Sequence, residues 1–148
     1  MAATSYFELR TPRDMLEKAR RELTRLVANF DIDNVFNFFV TAWHIQDSIL
    51  KTNAVPQSKV EAFVKDTDIQ YARDLCDKGK HLNLTKRPDP STDMYFGNAT
   101  PGTAVPGEAI AGSGGKWALR SENGVVPVDE LAERVLTKWD RLFAEHKL

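Results

Sequence analysis

The stretch from Val35 to Leu50 constrains the fold most strongly. Wound as a helix at about 100° per residue, it places Val35, Phe36, Phe38, Phe39, Val40, Ala42, Trp43, Ile45, Ile49 and Leu50 over well over half of its circumference. Such a helix cannot keep a broad face in water and has to be packed from more than one side. Asn37, Thr41, His44 and Asp47 interrupt the run, which makes it too polar for an ordinary membrane span. The rest of the wheel is a narrow stripe of Asn34, Asn37, Thr41, His44, Ser48 and Lys51, with Asp47 placed to face the same way as His44. A face meant only for water usually carries Lys and Glu. This one is mainly neutral hydrogen-bonding groups, which marks Asn37, Thr41, His44, Asp47 and Ser48 as a polar stripe suited to a site or a subunit contact.

The remaining elements are arranged around that helix. Thr11-Pro12-Arg13-Asp14 combines a capping hydroxyl, proline at the first helical position and an acid three residues after the cap. From there Met15, Leu16, Ala19, Leu23, Leu26, Val27 and Phe30 recur at helical spacing to about Asn29, with the basic residues Lys18, Arg20, Arg21 and Arg25 on a solvated face. Asp31 or Asp33 can cap the second helix, Ser58 a third, and Thr67 or Asp68 a fourth with Ile69, Ala72, Leu75, Cys76 and Gly79 on its apolar face. Gly79 is expected to let another backbone come close or to begin the helix end. His81 to Leu84 alternates like a short strand before Arg87-Pro88-Asp89-Pro90 turns the chain. Between Gly97 and Gly115 lie six of the eight glycines, and Glu108 is the one charged residue there, so residues 97–115 read as a flexible or arm-like loop. Gly112-Ser113-Gly114-Gly115-Lys116 runs on into Trp117 and strand-like residues, not the helix start that a phosphate-cradling loop needs. Trp117–Arg120 and Val125–Val126 flank Asn123-Gly124, a hairpin signal. A last amphipathic helix carries Val128, Leu131, Val135, Trp139 and Phe143. The expectation is a mainly α fold: one domain over residues 1–148, a bundle of about five helices with a small β-hairpin and a long Gly/Pro/Ala-rich loop.

Composition narrows the function classes. Twenty basic residues stand against 21 acidic ones, so any attraction to nucleic acid has to come from a local patch. One cysteine allows no intramolecular bridge, and the N-terminus has neither a basic start nor a continuous apolar run; both point to a cytoplasmic protein with no membrane association. His44 and Asp47 would need a third ligand such as His81 or Asp77 to hold a metal, and neither His-x3-His nor paired cysteines occur, so no metal or cofactor is expected. On the fourth helix Asp77 is placed to pair with Arg73, Lys80 or His81, which makes either a surface ion-pair network or an RNA-cleaving site. In the second case His81 would be the general acid or base and Arg73 or Lys80 would hold phosphate.

The strings Asn37-Phe38-Phe39-Val40-Thr41-Ala42-Trp43-His44-Ile45-Gln46-Asp47 and Gly79-Lys80-His81 resemble those of an uncharacterised family of small bacterial proteins, in which an NFxVTAWHxxD helix precedes a helix ending in GxKH. The likeness extends from Phe7 to the Trp139 helix. The arrangement also loosely resembles HEPN helical domains, many of which are RNA-cleaving toxins or phage-defence proteins acting as dimers. That second resemblance implies His81, Arg73, Lys80 and His44 as catalytic residues. Seven residues separate Arg73 from His81, a wider interval than the HEPN signature uses. The leading expectation is therefore a non-catalytic interaction or accessory protein that binds a protein partner or itself as a homo-oligomer. The alternative is a HEPN-like protein that binds or cleaves RNA.

Overall fold

The computed structural model describes residues 8–81, 89–96, 115–121 and 124–148. In chain order these form α1 (Pro12–Ala28), α2 (Ile32–Thr52), α3 (Gln57–Phe63), α4 (Thr67–His81), β1 (Ser91–Phe96), β2 (Gly115–Ser121), β3 (Gly124–Pro127) and α5 (Val128–His146). The fold is mainly helical with a small antiparallel sheet, as the periodicity indicates.

Local chemistry explains the helix boundaries. The Thr11 hydroxyl accepts from the Asp14 amide at 3.1 Å, while the Asp14 carboxylate accepts from the amides of Thr11 at 2.8 Å and Arg10 at 2.9 Å. This reciprocal cap satisfies donors that the first turn of α1 cannot. It also holds the Asp14 carboxyl below its ordinary range, the Arg10 amide contributing most. Of the two aspartates able to cap α2, Asp31 does so, accepting from the Asn34 amide at 2.8 Å. Asn53 ends the helix in the left-handed region, φ 53°. Ser58 lies inside α3, whose cap position is Pro56. At the start of α4 the capping carboxylate is Asp66, which accepts from the amides of Asp68 and Ile69.

The sheet has the order β1-β2-β3. Its β2–β3 half is the expected hairpin, with Ser121 opposite Gly124 and Gly124 at φ 118°. β1 is an addition, pairing Ser91 with Arg120 through to Phe96 with Gly115. Gly115 therefore belongs to a strand, and residues 97–114 of the expected loop lie outside the described residues. The strand expected at His81–Leu84 is not seen at His81, which closes α4; residues 82–84 lie outside the described residues.

α2 runs through the middle, flanked by α1 and α4 and touching α5. Phe38, Phe39, Ala42, Ile45 and Ile49 are completely buried, each large side chain contributing about 1.5–3 kcal/mol of burial. Trp139 of α5 packs at a tilt against Phe63, 4.5 Å between ring centroids, and Leu119 brings β2 into the same core. Phe36 departs from the expected arc: it remains 37% exposed. Among the described residues no helix is long and apolar enough to cross a membrane.

Candidate functional site

The polar stripe of α2 has several fates. The Asn34 amide donates to the carbonyl of Asn29 at 2.8 Å, closing the end of α1. Thr41 is buried and accepts from Lys18 of α1, which also donates to Glu22 at 3.0 Å. Arg25 shares the same Glu22 oxygen, so a buried carboxylate is held between two cations at the α1–α2 seam. The Ser48 hydroxyl donates back to Ile45 at 2.8 Å within the helix. Asn37 and Asp47 are exposed. Thr41 and Asn34 thus spend their capacity on α1, and His44 turns to α4.

His44 is the one stripe residue that gathers other reactive types around it. Its Nδ1 lies 2.7 Å from the Val40 carbonyl, which can only accept, so Nδ1 carries the hydrogen and Nε2 the lone pair. Lys80 donates to that lone pair at 3.2 Å, and the Cys76 sulfur lies 4.0 Å from Nδ1. Cys76 is fully buried, and burial, the dominant effect, pushes its thiol up; Asp77 adds to the rise and Lys80 opposes it. A protonated, enclosed thiol is no nucleophile. Arg73, half-buried, pairs with its neighbour Asp74 at 3.5 Å and lies two helical turns before Lys80, about 10 Å along the axis. The side chain of His81 lies outside the described residues. The structure thus brings His44 and Lys80 together and gives Arg73 a separate partner. Among the described residues no group of three His, Cys, Asp or Glu is placed to hold a metal ion.

A second feature lies beside this group on the same two helices. Ile32, Phe36 and Phe39 of α2, Leu75 of α4, Trp117 of β2 and Val128 of α5 line an open cavity of about 450 Å³. Gly79 forms part of its wall, and a Cβ there would stand 2.5 and 2.7 Å from two ring carbons of Phe36. What comes close at Gly79 is this aromatic ring, not the backbone of another element. Asp33 and Lys78 are the charged residues among those lining the cavity. Sequence reasoning missed the cleft because it counted Phe36 into the core arc. The available signal was the apolar pair Ile32 and Phe36, four residues apart at the start of α2, with a glycine on the helix opposite.

A third cluster is structural. Arg134 of α5 grips Asp68 with two hydrogen bonds of 3.0 and 3.1 Å, and Lys138 reaches Asp66 at 2.7 Å and Asp68 at 2.8 Å. Burial alone would raise the Asp68 carboxyl, yet hydrogen bonds from Arg134 and Lys138 outweigh it and hold the group below its ordinary value. The network pins the start of α4 to α5.

Compared with known proteins, the chain matches no protein-family model, no curated protein and no solved structure.

Proposed function

We propose that the chain is a non-catalytic interaction or accessory protein of the cytoplasm, which meets a protein partner, a second copy of itself included, through the cleft between α2, α4 and β2. The observation that carries this reading is the exposure of Ile32 and Phe36, 61% and 37%, at an apolar cavity. Apolar side chains scattered singly over a surface need no explanation, whereas a concave apolar patch marks a contact. The reading requires no reactive group, in keeping with the enclosed Cys76 thiol. A photo-reactive residue in place of Ile32 tests it, with the same residue in place of Val27 as the control. Val27 is 62% exposed and does not line the cleft. A discrete adduct in cells, to a partner or to the protein itself, is expected at position 32 and not at position 27. No adduct at position 32, together with a strict monomer by light scattering at high concentration, would sink the reading.

A second reading, RNA binding or cleavage by a bacterial HEPN-like protein in a toxin or phage-defence setting, draws support from the 3.2 Å contact of Lys80 with His44. A ring fixed at Nδ1 by Val40, with Nε2 beside a cation, suits an acid-base group next to a phosphate-binding ammonium. Purified protein that degrades RNA, and loses that activity in both His44→Ala and Lys80→Ala, would establish it; intact RNA would dismiss it.

A further inference from the structure

Among the described residues the cleft is apolar but not electrically balanced. Its ammonium, Lys78, is committed to the Asp89 carboxylate at 3.0 Å and to the Pro90 carbonyl at 2.7 Å, tying α4 to the chain that enters β1. Its carboxylate, Asp33, is exposed and has no hydrogen bond or ion pair among the described residues. The aromatic rings of Phe36 and Trp117 line the same space, and ring faces attract cations. An unpaired carboxylate beside aromatic walls complements an apolar body that carries a positive charge next to it. It repels an acidic one.

We infer that the cleft takes a basic amphipathic segment of a partner protein, seating an apolar side chain against Phe36 and Trp117 and placing an adjacent Lys or Arg on Asp33. The inference rests on the interaction reading above and names the chemistry of its partner. The cavity volume of about 450 Å³ is enough for an apolar side chain with its neighbours. Ile32, exposed at the same surface, extends the apolar contact beyond what a small amine would cover.

Three synthetic amphipathic peptides with identical apolar residues and with Lys, Gln or Glu beside them test the inference by fluorescence anisotropy at low salt. Binding should weaken in that order, the Lys peptide exceeding the Glu peptide by about three- to tenfold. Asp33→Asn, an exposed change whose folding is checked by circular dichroism, should bring that ratio close to one. Replacing the apolar residues of the Lys peptide by Ser should abolish binding. A Glu peptide that binds as well as the Lys peptide, or a preference that survives Asp33→Asn, overturns the inference. So does a phenylalkyl amine that binds as tightly as the Lys peptide, because the cleft would then be a small-molecule site. If no peptide binds while the adduct at position 32 still forms, the basic partner is wrong and the interaction reading stands. If that adduct is missing as well and the protein is a strict monomer, the interaction reading itself has failed.

Discussion

Replacing Gly79 by Ala sets two opposing effects of similar size against each other. Gly to Ala within a helix is favourable by about 0.5–1 kcal/mol, because the backbone loses less entropy on folding. Here the new methyl would stand 2.5 and 2.7 Å from the Phe36 ring, distances that force the ring to move. Phe36 is 37% exposed, so it has room to swing outward, at the expense of the burial it now has. Full burial of a Phe is worth about 1.5–3 kcal/mol, and losing roughly half of it costs about 1–1.5 kcal/mol. The two effects nearly cancel, and Gly79→Ala alone should change stability by less than about 1 kcal/mol. The informative quantity is the coupling. With Phe36 already replaced by Ala the two close contacts are gone, and the same substitution should stabilise by about 0.5–1 kcal/mol. Urea denaturation of the wild type, both single variants and the double variant gives a coupling energy expected at about 1–1.5 kcal/mol. A coupling of zero, with Gly79→Ala equally stabilising in both backgrounds, would refute the packing of this ring on this glycine.

Three further outcomes follow from the pairs described above. Asp68→Asn should destabilise by about 1–3 kcal/mol at neutral pH, since it breaks a two-bond grip on Arg134; urea midpoints of the two proteins measure the difference. The folded carboxyl titrates below its ordinary 3.8, so its stabilisation is complete above that pH and is lost as pH falls below it; the variant should therefore show a shallower acid limb, and parallel acid limbs would contradict the assignment. Cys76 should resist a thiol reagent at neutral pH and react at the rate at which the protein opens, and immediate stoichiometric labelling in native buffer would place the thiol elsewhere. Thr41→Val removes the acceptor that Lys18 reaches across the α1–α2 seam and should cost about 1 kcal/mol by thermal or urea unfolding, with no change expected in binding at the cleft.

The parts of the fold legible in the sequence are those fixed by local chemistry. Thr11 and Asp14 announce the start of α1 because the cap is made by residues three apart, and Asn123-Gly124 announces a hairpin because positive φ is a local requirement. β1 is less legible, since Ser91 to Phe96 becomes a strand by pairing with β2 across the Gly-rich segment, and nothing local rewards that choice. Thr67 and Asp68 read as alternative caps for one helix, whereas Asp66 caps it; the grip of Asp66 and Asp68 on Arg134 and Lys138 depends on how α5 returns to the bundle. The same holds for the candidate sites. Sequence spacing grouped Lys80 with Asp77 and His81 along one helix, and His44 with Asp47 along another, whereas packing joins Lys80 to His44. Phe36 falls inside the apolar arc on the wheel, yet its exposure is set by where the flanking helices stop covering α2.

Packing also links the two candidate sites in a way that neither motif suggests. Gly79 and Lys80 are consecutive residues near the end of α4; the first receives Phe36 and the second donates to His44, two turns further along α2. Any occupant of the cleft that displaces the Phe36 ring removes a contact from the same turn of α4 that carries the ammonium. The interaction reading and the RNA reading are therefore separated by two variants. Gly79→Ala moves the ring directly and reaches the His44–Lys80 pair only through the backbone, so it should impair cleft binding strongly and any RNA activity weakly. Lys80→Ala removes the ammonium and leaves the ring in place, so it should reverse that order. Measured side by side on the same preparation, the two variants separate a surface that binds from a site that reacts.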